Sequence, residues 1–87
     1  MNLIKKLILF SLTIIFLFGC DSSEDKKGRF LLKGNEKLKE NDLKGAIDYY
    51  TEALNIDPEF TDALFNRAIV YERLNNLNLA IDDYSTI

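Results

Sequence analysis

The chain has no histidine and a single cysteine among its 87 residues. Without histidine there is no Ser-His or Cys-His nucleophile arrangement and no common zinc ligand set. With one thiol, Cys20, there is no disulfide, redox pair or thiolate metal site. No glycine-rich phosphate loop occurs. The adjacent carboxylates Asp82 and Asp83 point in different directions if they lie on a helix. These absences argue against an enzyme, and no cofactor or metal is expected. Basic residues are also scarce: leaving out Lys5 and Lys6, 9 basic residues face 14 acidic ones, a net charge of −5. That balance speaks against nucleic acid, whose binding depends on clustered Lys and Arg against phosphate. It speaks equally against a polybasic grip on anionic lipid.

Long apolar runs are rare as well. The longest is residues 7–18, LILFSLTIIFLF, preceded by Lys5 and Lys6 and followed by Gly19. A helix of twelve residues rises about 18 Å, short of the roughly 30 Å hydrocarbon core of a bilayer. A spanning anchor would have to extend the run through Leu3 and Ile4 past the two lysines. A positive start, a short apolar centre and a small residue at the end describe an export signal over residues 1–19. Residues 21–28, DSSEDKKG, contain no aliphatic or aromatic side chain and read as a flexible tether following Cys20.

From Arg29 onward the apolar spacing is helical. Phe30, Leu31, Gly34 and Leu38 predict a first helix ending near Asn41, which tolerates the left-handed conformation that closes a helix. Asp42 is placed to cap a second helix carrying Ala46, Ile47, Tyr50, Ala53 and Leu54. Pro58 predicts its end near Ile56. Thr61 or Asp62 can cap a third helix with Leu64, Phe65, Ala68 and Tyr71 on one face. Asn75 and Asn76 then mark a turn before a fourth helix that begins with Leu77, Ala80, Ile81 and Tyr84.

The pattern repeats. Leu43, Ala46, Ile47, Asp48 and Tyr50 return in the same order and at the same spacing as Leu77, Ala80, Ile81, Asp82 and Tyr84. Self-similarity at one fixed period indicates stacked two-helix units, which recognise other molecules with an assembled surface. At these positions the first role is packing: Tyr50 and Tyr84 are core residues, and Asp48 and Asp82 belong to a solvated face. The expected fold is all-α, built from antiparallel helix pairs over residues 29–87.

These residues resemble the tetratricopeptide repeat, a 34-residue pair of antiparallel helices that stacks into a right-handed superhelix. Pro58 falls at the near-terminal proline, giving a first unit of about 27–60 and an incomplete second unit of 61–87. Gly34 and Ala68 match the small position of the first helix, Ala46 and Ala80 that of the second. Lys33 and Arg67 replace a usual leucine and Lys37 a usual aromatic. The resemblance implies a concave groove lined by the first helix of each unit, which receives an extended peptide or a partner helix. By position the groove would contain Leu31, Asn35, Leu38 and Lys39 with Phe65, Asn66, Ile69 and Arg73. Asn35 and Asn66 coincide with asparagines that contact the ligand backbone in the chaperone-binding branch. The lysine that branch places four residues before Asn35 is Leu31 here, which disfavours a C-terminal carboxylate clamp.

Leu17, Phe18, Gly19 and Cys20 resemble the lipobox of bacterial lipoproteins, with Phe18 departing from the usual small or β-branched residue. The resemblance implies removal of residues 1–19 and lipidation of Cys20, hence stable attachment to a membrane of the bacterial cell envelope. In enteric bacteria an aspartate in the place of Asp21 is similar to an inner-membrane retention signal. The expectation is a membrane-tethered scaffold for a protein or peptide partner. The alternative is a fragment of a longer repeat protein, or an oligomerising unit, since about three repeats are normally needed for stability.

Overall fold

A computed structural model describes residues 22–87 of the chain. Four α-helices occur among the described residues: α1 (Ser23–Lys39), α2 (Leu43–Ile56), α3 (Thr61–Arg73) and α4 (Leu77–Thr86). They form two antiparallel pairs in sequence, with α2 packed between α1 and α3 and α4 packed on α3. Cys20 and the apolar run before it lie outside the described residues.

Two turns of identical design separate the helices of each pair. Asn41 (φ 60°) and Asn75 (φ 59°) adopt the left-handed conformation at equivalent places in the two pairs. Behind each, two backbone bonds close the helix end. The Asp42 N–H donates to the Lys37 carbonyl at 2.9 Å and the Asn41 N–H to that of Leu38 at 3.0 Å. Asn76 and Asn75 repeat this with Tyr71 and Glu72 at 2.8 and 2.9 Å. This pairing satisfies carbonyls that a helix end otherwise leaves open, and asparagine tolerates the φ it needs. Asp42 then caps α2, its Oδ1 accepting from the Gly45 N–H at 3.0 Å. At α4 the equivalent Asn76 makes no side-chain cap bond.

Two sequence expectations change here. The third helix is capped neither by Thr61 nor by Asp62; both lie inside α3, and the capping position is Phe60, with no side-chain bond. The tether expected over residues 21–28 gives way to helix from Ser23 onward. Ser22 caps it by accepting from the Asp25 N–H at 3.4 Å, and Glu24 and Asp25 complement the positive helix start. The decisive contact is remote in sequence. The Lys27 Nζ lies 2.6 Å from Asp57 and 3.2 Å from Glu24, and 4.8 Å from the centre of the Phe60 ring. That clamp ties the first turns of α1 to the α2–α3 loop. A composition-based reading of residues 21–28 has no access to a partner thirty positions away.

The core is a set of small residues at helix crossings with larger ones between them. Ala53, Leu54, Ala63 and Leu64 join α2 to α3, with Phe30, Leu31 and Phe60 against them. Ala46, Tyr50 and Val70 form a second cluster with Leu31, Leu38, Leu43 and Ile47. Each large side chain removed from water contributes about 1.5–3 kcal/mol. Tyr50 is fully buried, and its ring lies so close to Gly34 that no side chain larger than hydrogen fits there.

The two units solve the same packing problem differently. In the second, Arg67 pairs with buried Asp83 through two bonds of 2.8 and 2.7 Å and donates to the Thr51 hydroxyl at 3.0 Å. Asp82 beside it is exposed. Shifted back by one period, Arg67 and Asp83 become Lys33 and Tyr49. There the lysine Nζ sits 5.7 Å from the Tyr49 ring centre and 5.9 Å from that of Phe30, and the two rings stack at 6.4 Å. A buried ion pair in one unit is thus a cation–π contact in the other. The tyrosines of the echo also differ. Tyr84 is only half-buried, meets Phe65 edge to face, and donates its hydroxyl to Glu72.

Candidate functional site

Because α1 and α3 are the first helices of their pairs, they run side by side and expose one shared concave strip. Residues 32, 35, 36 and 39 follow each other at spacings of three, one and three, so they form one face of α1. Asn66 and Arg73 lie two turns apart on α3. Leu32, Asn35, Glu36, Leu38, Lys39, Asn66 and Arg73 line a cavity of about 650 Å³ that is open to solvent.

Fully buried Tyr50 lies beneath two of the lining residues, Asn35 and Asn66. Its hydroxyl donates to the Asn35 Oδ1 at 2.6 Å, and the Asn66 Nδ2 donates to the same oxygen at 3.0 Å. Burial pushes the Tyr50 phenol up in pKa, while the Asn66 side chain works in the opposite direction. The hydroxyl therefore stays protonated and acts as a donor. Both acceptor directions of the Asn35 carbonyl are used, which fixes how its amide sits. Its amino group makes no hydrogen bond to a described residue and is available to a ligand. The site can thus offer amide donors and acceptors from fixed positions, with Leu32 and Leu38 as apolar wall and Lys39 and Arg73 as cations.

Five of the eight groove residues expected from the sequence come together: Asn35, Leu38, Lys39, Asn66 and Arg73. Three do not line the cavity. Leu31 turns inward and packs against both core clusters. Phe65 lies on Tyr84, with ring centres 5.9 Å apart, and points to the α3–α4 side. Ile69 is half-buried on the stripe between Asn66 and Arg73 without reaching the lining. Leu32 and Glu36 were not expected. The signal for them was present, since both fall on the face defined by Asn35 and Lys39 at helical spacing.

Residues 34–75 match the family model of the TPR repeat. A TPR repeat is found over this span. The matched span runs from Gly34 in α1 to Asn75 in the turn after α3. The 34-residue echo extends the same TPR geometry into α4, giving an all-helical fold of about two repeats. The chain is similar to the Hsp70-Hsp90 organizing protein of Triticum aestivum, 40% identical over 50 residues. Hsp70-Hsp90 organizing protein 1 of Arabidopsis thaliana is similar to the same extent. Each match covers 58% of this chain and 9% of the relative, so the shared part is a small portion of those proteins. No solved structure matches the chain. The TPR repeat marks a protein–protein interaction module, and nothing in it indicates catalysis.

Proposed function

We propose that the chain is a membrane-tethered scaffold whose α1–α3 groove holds an extended peptide or a helix of a partner in the bacterial cell envelope. The observation that carries the reading is the Asn35–Tyr50–Asn66 network. It joins both first helices and holds two side-chain amides in the lining of the cavity. Preorganised amides suit main-chain recognition because their orientation costs nothing further on binding. The similarity to Hsp70-Hsp90 organizing proteins supports a protein as the partner class. Leu31 packs in the core, so α1 brings no cation to that place in the groove.

The tether belongs to Cys20, on the pattern of residues 17–20. Three acyl chains there would hold the protein on a membrane, since one chain alone binds only reversibly. A photo-crosslinking residue at Arg73 is expected to capture one discrete envelope protein, while the same residue at Asp48 on the solvated face captures none. Equal capture from both positions refutes the groove. For the anchor, an alkyne-tagged fatty acid should label the wild-type chain and not Cys20→Ala. Absence of label on the wild type refutes the tether.

One observation favours a second reading. Leu74, Leu77, Leu79 and Ile81 expose between 41 and 62% of their surface around α4. Apolar exposure of this extent suits contact with another helix, from a second copy or from further repeats. Light scattering decides it: a concentration-dependent mass that Ile81→Lys abolishes supports self-association, and a constant monomer mass removes it.

A further inference from the structure

The charge of the chain is sorted by helix. Residues 23–39, which form α1, carry six basic and three acidic side chains, whereas residues 40–87 carry three basic and ten acidic ones. The net charge of the chain, which argues against a grip on anionic lipid, averages these opposite ends. On α1 the cations also share a face: Lys26, Arg29, Lys33 and Lys37 follow at spacings of three, four and four. That face spans about 16 Å of helix. Glu40 offsets Lys37 at 3.4 Å. Lys26 and Lys33 are exposed and meet no carboxylate among the described residues. Lys33 holds its Nζ over the Phe30 and Tyr49 rings, a contact that leaves its charge in place. Lys26, Arg29, Phe30 and Lys33 line one recess of about 420 Å³ that is open to solvent. The groove residues Asn35, Glu36 and Lys39 occupy another face of the helix. One period later the positions of Lys26, Arg29 and Lys33 hold Phe60, Ala63 and Arg67, which pack on α2 or pair with Asp83. The face that the second unit buries is thus a cationic surface in the first.

We propose that this face of α1 lies on anionic phospholipid headgroups, so that the membrane sets the orientation of the helices as well as their attachment. The proposal rests on the reading of Cys20 as the site of lipidation. Helix begins at Ser23, three residues after Cys20, and three extended residues reach at most about 10 Å. The negative potential of an anionic leaflet decays over a Debye length, about 8–10 Å at physiological salt. The early helix start therefore brings Lys26, within the first turns of α1, into that potential. A flexible tether through residue 28 would let the same cations drift out of it. Headgroup phosphate oxygens accept hydrogen bonds from the Lys26 and Lys33 ammonium groups and the Arg29 guanidinium. The same surface repels the ten carboxylates of residues 40–87 and turns α2, α3 and α4 toward solvent. The groove then stands on a side of α1 away from the lipid, open to a partner.

A polar outer face also caps a helical stack, and that role alone needs no lipid and is indifferent to the sign of the charge. The two accounts separate in a footprinting experiment on the wild-type protein. The full chain, as purified from membranes, is reconstituted with vesicles of phosphatidylcholine alone or of phosphatidylcholine and phosphatidylglycerol in equal parts. Flotation reports attachment, and a water-soluble acetylating reagent with mass spectrometry reports the reactivity of each lysine. Lys26 and Lys33 are expected to react about fivefold more slowly on the phosphatidylglycerol vesicles, the factor one cation at an anionic surface supplies. Lys39, on the groove face, should react alike on both. Added salt should remove the difference while the protein still floats. Equal reactivity of Lys26 and Lys33 on both vesicles, with the protein floating, overturns the proposal and leaves the tether standing. Equal slowing of Lys39 overturns the assignment to this face. Slowing on neutral vesicles when glycerol phosphate is dissolved in the buffer points to a free phosphate as ligand and overturns the membrane assignment. Failure to float with neutral vesicles overturns the tether and this proposal with it.

Discussion

Two glycines of the same helix should respond to alanine with opposite signs. A Cβ built on Gly34 lands 2.6 Å from the Tyr50 Cδ1, 3.0 Å from its Cζ and closer still to its Cε1. A Cβ on Gly28 meets nothing within 4 Å. In a helix interior, Gly to Ala favours folding by up to about 1 kcal/mol through backbone entropy. Gly28→Ala receives that gain undiminished. Gly34→Ala receives it too, but must displace a ring that is fully buried and bonded through its hydroxyl to Asn35. Overpacking of this kind costs roughly 1–3 kcal/mol, and the lost hydroxyl bond about another 1 kcal/mol. The net expectation is destabilisation by about 1–3 kcal/mol. The second unit shows how the ring would relax. Ala68 stands one period after Gly34, and Tyr84, the counterpart of Tyr50, is tipped outward and half-exposed. A relaxed Gly34→Ala protein should therefore lose the Asn35–Tyr50 bond, and the peptide binding proposed for the groove should weaken with it. Denaturant unfolding followed by circular dichroism measures both substitutions on one scale. If Gly34→Ala stabilises the protein as much as Gly28→Ala, the close packing of α1 on Tyr50 is wrong.

Asp83→Ala should cost about 3 kcal/mol, because it leaves the Arg67 guanidinium inside the α2–α3–α4 junction without its counter-ion. The joint replacement Arg67→Leu/Asp83→Leu should recover most of that loss, and a double-mutant cycle in thermal melts that finds the two effects additive would contradict it. Tyr50→Phe removes one buried hydrogen bond and should cost about 1 kcal/mol, with Asn35 losing its fixed orientation. A side-chain amide NMR signal of Asn35 unchanged from wild type rules that out. The start of α1 should respond to acid. Hydrogen bonding from Lys27, more than that from the Glu59 N–H, holds the Asp57 carboxyl below its ordinary value. A depressed carboxyl stabilises the folded state above the usual carboxylate range, and the contribution disappears as pH falls through and below that range. Helical Cα shifts at residues 23–28 should therefore decay at low pH before those of α2, and simultaneous loss contradicts the clamp. At the alkaline end the Lys27 contribution, raised chiefly by the same Asp57 bond, is present below the ordinary lysine value. It is lost as pH climbs through the raised one.

The repeat architecture was legible because its signals are local and periodic. Asn41 and Asn75 announce the two left-handed helix ends, Asp42 the cap, Pro58 the end of α2, and the alanines the crossings. Five of the seven lining residues were legible for a related reason: helix periodicity assigns faces, and it puts Asn35 with Lys39 on α1 and Asn66 with Arg73 on α3. Periodicity failed where two faces compete for the same residue. Leu31 and Phe65 sit near the boundary between groove and core, and burial of apolar area draws Leu31 inward and Phe65 onto Tyr84. Leu32 and Glu36 fall on the same periodic face as Asn35 and Lys39, but how far the lining extends across that face is set by tertiary packing.

The sequence by itself determined the helices, their order, their fixed period and an acidic, histidine-free chemistry, since these depend on neighbours a few positions apart. Tertiary structure decided everything that rests on contacts between distant positions. Lys27 reaches Asp57 and turns an expected tether into helix. Arg67 and Asp83 pair to seat α4, while the equivalent Lys33 rests on aromatic rings. Asn35 and Asn66 meet over Tyr50 because Gly34 lets that ring lie against α1. Buried pairs and shared acceptors need partners fixed in space by packing, and no local pattern encodes which partner that will be.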